Sequence, residues 1–250
     1  MYRKYVPFLL FLFFLYGCNG NKQEEKEDVS VFVDLPQLKA EGEITAVTLY
    51  SSTSYFQYKM QPMGYEYDLI NDFAKSQGLK LNIKVAENPA RLIEMLEAGE
   101  VDVVAYPIPI NNKLKQEVIY CGREDISSQV LIQRANKGDK LLTDVTQLID
   151  KNVYVKPNTK YSERLKNLDE ELGGGIHIQK VENDSIATED LIEMVSLGEI
   201  PYTISDDNTA RLNKTYYWNI NVDLKVSFPQ RSSWVVRKSS PDLAKAIDEW

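Results

Sequence analysis

One stretch of this chain is written twice. Leu92-Ile93-Glu94-Met95 is followed by Gly99-Glu100-Val101 and then Val103-Val104-Ala105. Leu191-Ile192-Glu193-Met194 is followed by Gly198-Glu199-Ile200 and then Tyr202-Thr203-Ile204, an offset of 99 residues for the helix letters and the glycine alike. Each copy reads as an amphipathic helix, a glycine just past its end, and a short buried strand. The flanks repeat as well. The first unit predicts strand 44–49, helix 67–77, strand 80–85, helix 90–98 and strand 101–105. The second predicts strand 152–155, helix 160–172, strand 176–181, helix 188–197 and strand 202–205. Gly78 and Gly173-Gly174-Gly175 fall where helices must stop. Strands alternating with helices need crossover connections, and crossovers give a parallel sheet. The expectation is an α/β chain of two similar lobes, each with a parallel-core sheet and flanking helices. Ligands of such sheets bind beyond the carboxyl ends of the strands. Two facing lobes therefore place a cleft between them, open to hinge closure on a ligand.

The lobes are expected at 34–127, with 228–250 returning to it, and at 128–227. Extended runs at 128–134 and 222–228 read as the crossings between them, and the chain from about Ser233 as the return to lobe one. A last helix is expected after Pro241, with Asp242 as its cap.

Charge and composition narrow the function. Lys plus Arg is 29 against 37 Asp plus Glu, a net charge of −8, which argues against a nucleic-acid partner because no basic excess is there to neutralise phosphates. With 43% hydrophobic and 26% charged residues the chain is an ordinary globular mixture. One histidine and two cysteines leave little for a zinc site, and no metal or cofactor is expected. The triple glycine follows a helix and does not open one, so it is no phosphate loop. His177 sits in an alternating strand without a Ser or Cys motif nearby and reads as exposed. Glu66 with Asp68, and Asp206 with Asp207, are spaced too closely to flank a glycosidic bond. No catalytic residue is expected within these 250 positions.

The N-terminus reads as an address. Arg3 and Lys4 precede an apolar run at 6–16, and Leu15-Tyr16-Gly17-Cys18 follows. That is the order of an export signal, and the run is too short to span a bilayer, which takes about 20 apolar residues. The Leu-x-Gly-Cys ending resembles a bacterial lipobox, in which Cys18 becomes the first residue of the mature chain and carries the lipid. The plain alternative is a secretory signal with a chance cysteine. Signal 1–17 is then followed by a tether at 18–33, of which 19–30 is polar, charged and without periodicity. Cys121 is left single and is expected to be a small buried hydrophobe.

Five segments carry a resemblance: Asp34-Leu35-Pro36-Gln37, Thr53-Ser54-Tyr55-Phe56, Pro62-Met63-Gly64-Tyr65-Glu66-Tyr67-Asp68-Leu69, Gly99-Glu100-Val101-Asp102, and Pro201-Tyr202-Thr203-Ile204-Ser205-Asp206. In this order and spacing they make residues 34–250 resemble the family 3 periplasmic solute-binding proteins, and within them the N-terminal domain of membrane-bound lytic murein transglycosylase F. The resemblance implies the two-lobed type II periplasmic-binding-protein fold. It implies an aromatic stacked on ligand after the first strand, at Tyr55 with Phe56 beside it, one of the pair belonging to the core. It implies Asp206 on a ligand ammonium. Asp206-Asp207-Asn208 is also an N-cap sequence, so the alternative role for Asp206 is capping the next helix; the ligand is expected at Asp206 and the cap at Asp207. It implies Asn158 and Thr159 at a loop and helix start whose amides bind a ligand carboxylate.

The chain also departs from the pattern. Where amino-acid binders carry an arginine that clamps the α-carboxylate, it reads Pro109-Ile110-Asn111-Asn112-Lys113-Leu114-Lys115. Leu114 or Lys113 takes that place, and a lysine does not reproduce the arginine fork. Tyr106-Pro107 stands where small residues are usual, and narrows the pocket or offers stacking. The expected ligand is therefore a small peptide, an amino-acid-like molecule or a muropeptide.

The resemblance further implies a lipid-anchored sensor domain on the periplasmic side of the envelope, at the outer membrane, that regulates a catalytic domain. That domain would carry a catalytic Glu in a Glu-Ser context, a pair absent here. A last helix of about nine residues ending on Trp250 supports the expectation that this is the front part of a longer protein. The alternative is a stand-alone solute-binding lipoprotein serving an ABC-type transporter.

Overall fold

The computed structural model describes residues 33–183 and 186–250. The export signal, Cys18 and all but the last tether residue lie outside them. In chain order the elements are α1 (Leu35–Glu41), β1 (Glu43–Leu49), β2 (Phe56–Tyr58), β3 (Gln61–Met63), α2 (Tyr65–Ser76), β4 (Lys80–Ala86), α3 (Pro89–Glu97), β5 (Val103–Pro109), β6 (Val118–Ser127) and β7 (Gln129–Arg134). Then come β8 (Asn152–Val155), α4 (Lys160–Glu171), β9 (His177–Lys180), α5 (Thr188–Leu197), β10 (Tyr202–Asp206), α6 (Asp207–Lys214), β11 (Ile220–Asn221), β12 (Gln230–Arg237) and α7 (Pro241–Glu249).

Two five-stranded sheets form the two lobes, in the orders β4-β1-β5-β12-β6 and β11-β7-β10-β8-β9. The expected parallel core is three strands in each: β1 runs parallel to β4 and β5, and β8 runs parallel to β9 and β10. β12 and β6 complete the first sheet in antiparallel fashion, as β7 and β11 complete the second. A separate hairpin pairs β2 with β3.

Each sheet is covered on both faces, which is why its strands read as near-continuous apolar runs. In lobe one, Ile44, Ala46 and Val103 meet Ile70 and Phe73 of α2 and Leu243 and Ile247 of α7, while Val47 and Val104 on the other face meet Leu92 and Leu96 of α3. In lobe two, Leu131, Val153 and Ile204 pack on Leu165 and Leu168 of α4, and Val130 and Ile132 on Leu191, Ile192 and Val195 of α5. The repeated Leu-Ile-Glu-Met motif thus supplies the apolar stripe of α3 and of α5. Each buried Leu or Ile contributes about 2 kcal/mol by removal from water. Gly99 and Gly198 follow these helices with φ of +71° and +80°.

The chain passes between lobes more abruptly than the extended runs suggest. Residues 129–134 are a strand of the second sheet, so the first crossing narrows to the Ser127-Ser128 step between β6 and β7. The return lies near Phe228, because Val222 and Val226 are buried in lobe two and β12 is already in the first sheet. The strand expected at 101–105 starts at Val103 and runs on through two prolines to Pro109. The last helix is capped from a distance. Ser240 holds its cap position, Asp242 lies inside the helix, and the buried Asp34 carboxylate accepts from Asp242 N (3.0 Å) and Leu243 N (2.8 Å). Cys121 is buried and unpaired, with its thiol pushed up to about 12 by burial and by Asp248. His177 is exposed.

Candidate ligand-binding cleft

The carboxyl ends of five parallel strands converge on one cavity of about 910 Å³. β1 sends Tyr50 and Ser51 into it, β4 Ala86 and Glu87, and β5 Tyr106 to Pro109; from lobe two β8 is followed by Lys156 and β10 ends in Asp206. This is the placement that open α/β sheets dictate, realised twice and face to face.

Tyr106 reaches the cleft through a backbone irregularity. Val104 is opposite Val235 and Ile108 opposite Ser233, so Ala105, Tyr106 and Pro107 stand across from the single residue Trp234. On its other side β12 pairs Ser232 with Asp125 and Trp234 with Cys121, leaving Gly122, Arg123 and Glu124 across from Ser233. Extra residues on one strand bend it and re-aim its side chains. Gly122 takes φ +74°, which a β-carbon would resist, and a β-carbon there would also press on Ile247 at 3.2 Å.

Between these irregularities Trp234 Nε1 donates to Glu66 Oε2 at 2.6 Å. Glu66 is only 9% exposed, lies in the first turn of α2 and faces the cavity. Burial drives its carboxyl up to about 7; the Trp234 bond pulls the other way, and Asp125 adds to the rise. The second oxygen, Oε1, has no protein donor among the described residues. The tyrosine hydroxyl of Tyr106 is held well above its usual range, first by burial and then by the negative charges of Asp206, Glu189 and Glu66.

In lobe two, Asp206 is the last residue of β10 and already has partners. Lys160 Nζ lies 2.5 Å from Oδ2 and Tyr161 Oη donates to the same oxygen at 3.0 Å. Burial, then the Asp206 charge, holds the Tyr161 hydroxyl well above its usual range. Thr159 caps α4 in a capping box with Ser162 and lines the cavity beside Lys160. The lobes touch across the opening: Ser52 N (3.2 Å) and Oγ (2.9 Å) both donate to Glu189 Oε1 in the first turn of α5.

Of the residues picked out from the sequence, Tyr106, Thr159 and Asp206 line this cavity and four do not. Tyr55 is buried and stacks edge-on against Tyr67 at 5.7 Å, and Phe56 opens the β2–β3 hairpin. The residues after β1 that line the cleft are instead Tyr50, 60% exposed, and Ser51, Thr53 and Ser54. Lys113 lies on an exposed turn beside the short 3₁₀ helix Leu114–Gln116, away from the lining. Asn158 is exposed with φ +56°, completing the turn into α4 rather than facing the cavity. Asp207 does not cap α6. Asp206 holds the cap position without a side-chain cap bond, and Asp207 pairs with Arg211 one turn on at 2.9 Å. Nothing in the sequence marks Trp234, Lys160, Tyr161 or Glu189 as ligand residues; Glu66 lies in a quoted motif, where it reads as a ligand contact or a solvated charge, and its pairing with Trp234 spans 168 residues.

Two lobes with parallel cores, joined by two strand-to-strand crossings around a polar, aromatic-lined cleft, define the type II binding-protein architecture. Residues 44–250 match the model of the bacterial extracellular solute-binding proteins, family 3, and the chain belongs to that family. It is 31% identical over 218 residues to a membrane-bound lytic murein transglycosylase F of Desulfosudis oleivorans, covering 86% of this chain and 46% of that protein. A relative of the same name from Stutzerimonas stutzeri is 28% identical over 218 residues, covering 86% of this chain and 44% of that protein. The chain thus spans a little under half the length of these relatives. The arginine-bound, truncated form of ArgBP from T. maritima superposes with a TM-score of 0.72 at 21% identity, covering 86% of this chain and 97% of that one. Among the described residues no helix is long and apolar enough to cross a membrane.

Proposed function

We propose that this chain is the ligand-binding, regulatory part of a lytic murein transglycosylase F-like lipoprotein, and that it holds a small peptide, an amino-acid-like molecule or a muropeptide in the interlobe cleft. The observation that carries this is the convergence of five strand ends from two sheets on one cavity with tyrosines from both lobes, Tyr50 and Tyr106 on one side and Tyr161 on the other. A volume of about 910 Å³ suits a ligand larger than one amino acid. Thr159, Lys160, Tyr161 and Asp206 supply polar contacts from lobe two, and Glu66 and Tyr106 from lobe one. Cys18 would carry the lipid that holds the domain at the envelope, on the outer-membrane side. Lobe boundaries at 34–127 with 228–250, and at 128–227, belong to the same proposal. Regulation requires that the closed form meet the catalytic part differently from the open form, since only differential interaction shifts an equilibrium.

A thermal-shift panel of amino acids, dipeptides and muropeptides tests the binding step. A ligand that binds the folded state alone raises the midpoint in proportion to log concentration. No rise with any member of the panel would overturn the reading. A second reading is a stand-alone binding protein that hands its ligand to a membrane transporter. It expects a rise with a free amino acid and none with muropeptides.

A further inference from the structure

The lining of the cleft is charged unevenly, and its pairing pattern is the informative part. In lobe two the Asp206 carboxylate already has a cation on it: Lys160 lies 2.5 Å from Oδ2, and the Tyr161 hydroxyl donates to the same oxygen at 3.0 Å. Glu189 is engaged by two donors of Ser52. In lobe one the Arg231 guanidinium is closed off by Glu124, and Asp248 accepts from Gly122 N at 2.6 Å. Glu66 has no cation on it. Its Oε2 takes the Trp234 indole N–H and its Oε1 takes no protein donor among the described residues, although the group is 9% exposed and lines the cavity. What sets Glu66 apart from Asp206 is the lack of a cation on a largely buried carboxylate whose free oxygen is open to the cavity, where a ligand can supply both donors and charge.

We propose that Glu66 in lobe one holds the positively charged group of the ligand, and that the Lys160–Asp206 pair in lobe two faces the ligand's anionic or polar end. This deepens the ligand-binding reading above and rests on it. The site is built rather than accidental: backbone irregularities on both neighbours of β12 flank Trp234, which fixes the carboxylate, and one of them turns Tyr106 into the same cavity. An ammonium or guanidinium is the class that suits it, because it brings several N–H donors to Oε1 and cancels the charge that burial disfavours. The aromatic face of Tyr106 adds a surface on which a cation is favoured. Asp206, by contrast, offers a new ammonium only what it loses with Lys160. Among the described residues, the cations lining the lobe-one wall are Arg231, paired with Glu124, and Arg123, which has no ion-pair partner, while Glu66, Glu87, Asp125 and Asp248 line it without one, so the wall carries a net negative charge.

Titration calorimetry on the whole chain distinguishes this polarity from its opposite. The probes are L-arginine, L-leucine and L-alanyl-L-alanine, all carrying an ammonium, on wild type, Glu66→Gln and Asp206→Asn. Glu66→Gln is isosteric and still offers Trp234 an oxygen; an unchanged thermal midpoint without ligand, or a higher one, shows that it folds. The expected result is that Glu66→Gln weakens every probe that binds by about tenfold or more, the worth of a charged hydrogen bond. Asp206→Asn, which leaves Lys160 charged, is expected to keep or raise the affinity. Loss with Asp206→Asn but not with Glu66→Gln overturns the polarity and leaves the binding reading intact, as does equal loss or no change in both. Absence of heat from all three probes on wild type counts against this inference, and failure of the wider thermal-shift panel would remove the binding reading as well.

Discussion

Single side chains in the cleft carry charge states that solution conditions can reach. Glu66 is the clearest case, with a carboxyl raised from 4.5 to about 7 chiefly by burial and further by Asp125, against the lowering bond from Trp234. A raised carboxyl means that the folded state holds the proton more tightly than the unfolded state. Its stabilising contribution is therefore complete below the unfolded value near 4.5 and is lost as pH rises to about 7. The loss amounts to about 3 kcal/mol at most. Because other carboxylates, such as Glu124 and Glu171, are held low by arginine partners and act in the opposite sense, the measurable quantity is a difference. Between pH 4.5 and 7 wild type should lose stability relative to Glu66→Gln, as read from urea midpoints. A constant gap across that range would show that Glu66 does not titrate there. Gly64 is the second residue-scale case. It takes φ +134°, and a β-carbon on it would lie 2.3 Å from the Ser54 carbonyl oxygen. The three atoms it would collide with, Ser54 O and C and Tyr55 Cα, all belong to backbone, so Gly64→Ala should cost about 3 kcal/mol or more. Chemical denaturation checks this directly.

Elements are tied together by side chains that sequence patterns do not reveal. Asp34 caps its own helix α1 in a box with Gln37 and also receives two amides of α7, joining the start of the described chain to its end. Asp34→Ala should cost about 2–3 kcal/mol, a fall of roughly 5–10 °C in Tm by scanning calorimetry. Asp102 is similar: it accepts from Thr45 N at 2.8 Å and pairs with the buried Arg237 at 3.1 Å, tying β12 to the edge of β1. The Asp34 and Asp102 segments were legible in the sequence as motifs, but their partners lie 209 and 135 residues away. Helices and parallel strands were legible because their signal is local: apolar periodicity and the glycines behind α2, α3, α4 and α5. The irregularities in β5 and β6 were not, because the extra residues depend on what β12 places opposite them. The sequence therefore marks Tyr106 by its departure from small residues but gives no sign of the bond that holds Glu66 to Trp234. Between a ligand role and a core role for Tyr55 the sequence does not choose. An aromatic after the first strand is visible in sequence, but the packing of Tyr55 on Tyr67, which leaves Tyr50 in the cleft, is not.

At the scale of the molecule, the two α/β lobes are joined at the Ser127-Ser128 step and again near Phe228, and the contact of Ser52 with Glu189 fastens them across the opening. That contact exists only when the lobes are together, so it adds to the stability of the closed form and to the lifetime of whatever is inside it. Glu189→Gln should raise the ligand dissociation rate roughly tenfold and change the association rate little, a split that stopped-flow fluorescence resolves. Equal changes in both rates would place Glu189 in the encounter and not in the latch. The central claim is that the cleft binds a ligand by contacts from both lobes. A crystal structure of the chain with the ligand that most raises its melting midpoint tests this most directly. The account expects that ligand to touch Tyr106 and Thr159 at once, with a cationic nitrogen within about 3 Å of a Glu66 oxygen. A ligand bound elsewhere, or bound to one lobe with the cleft empty, would contradict it.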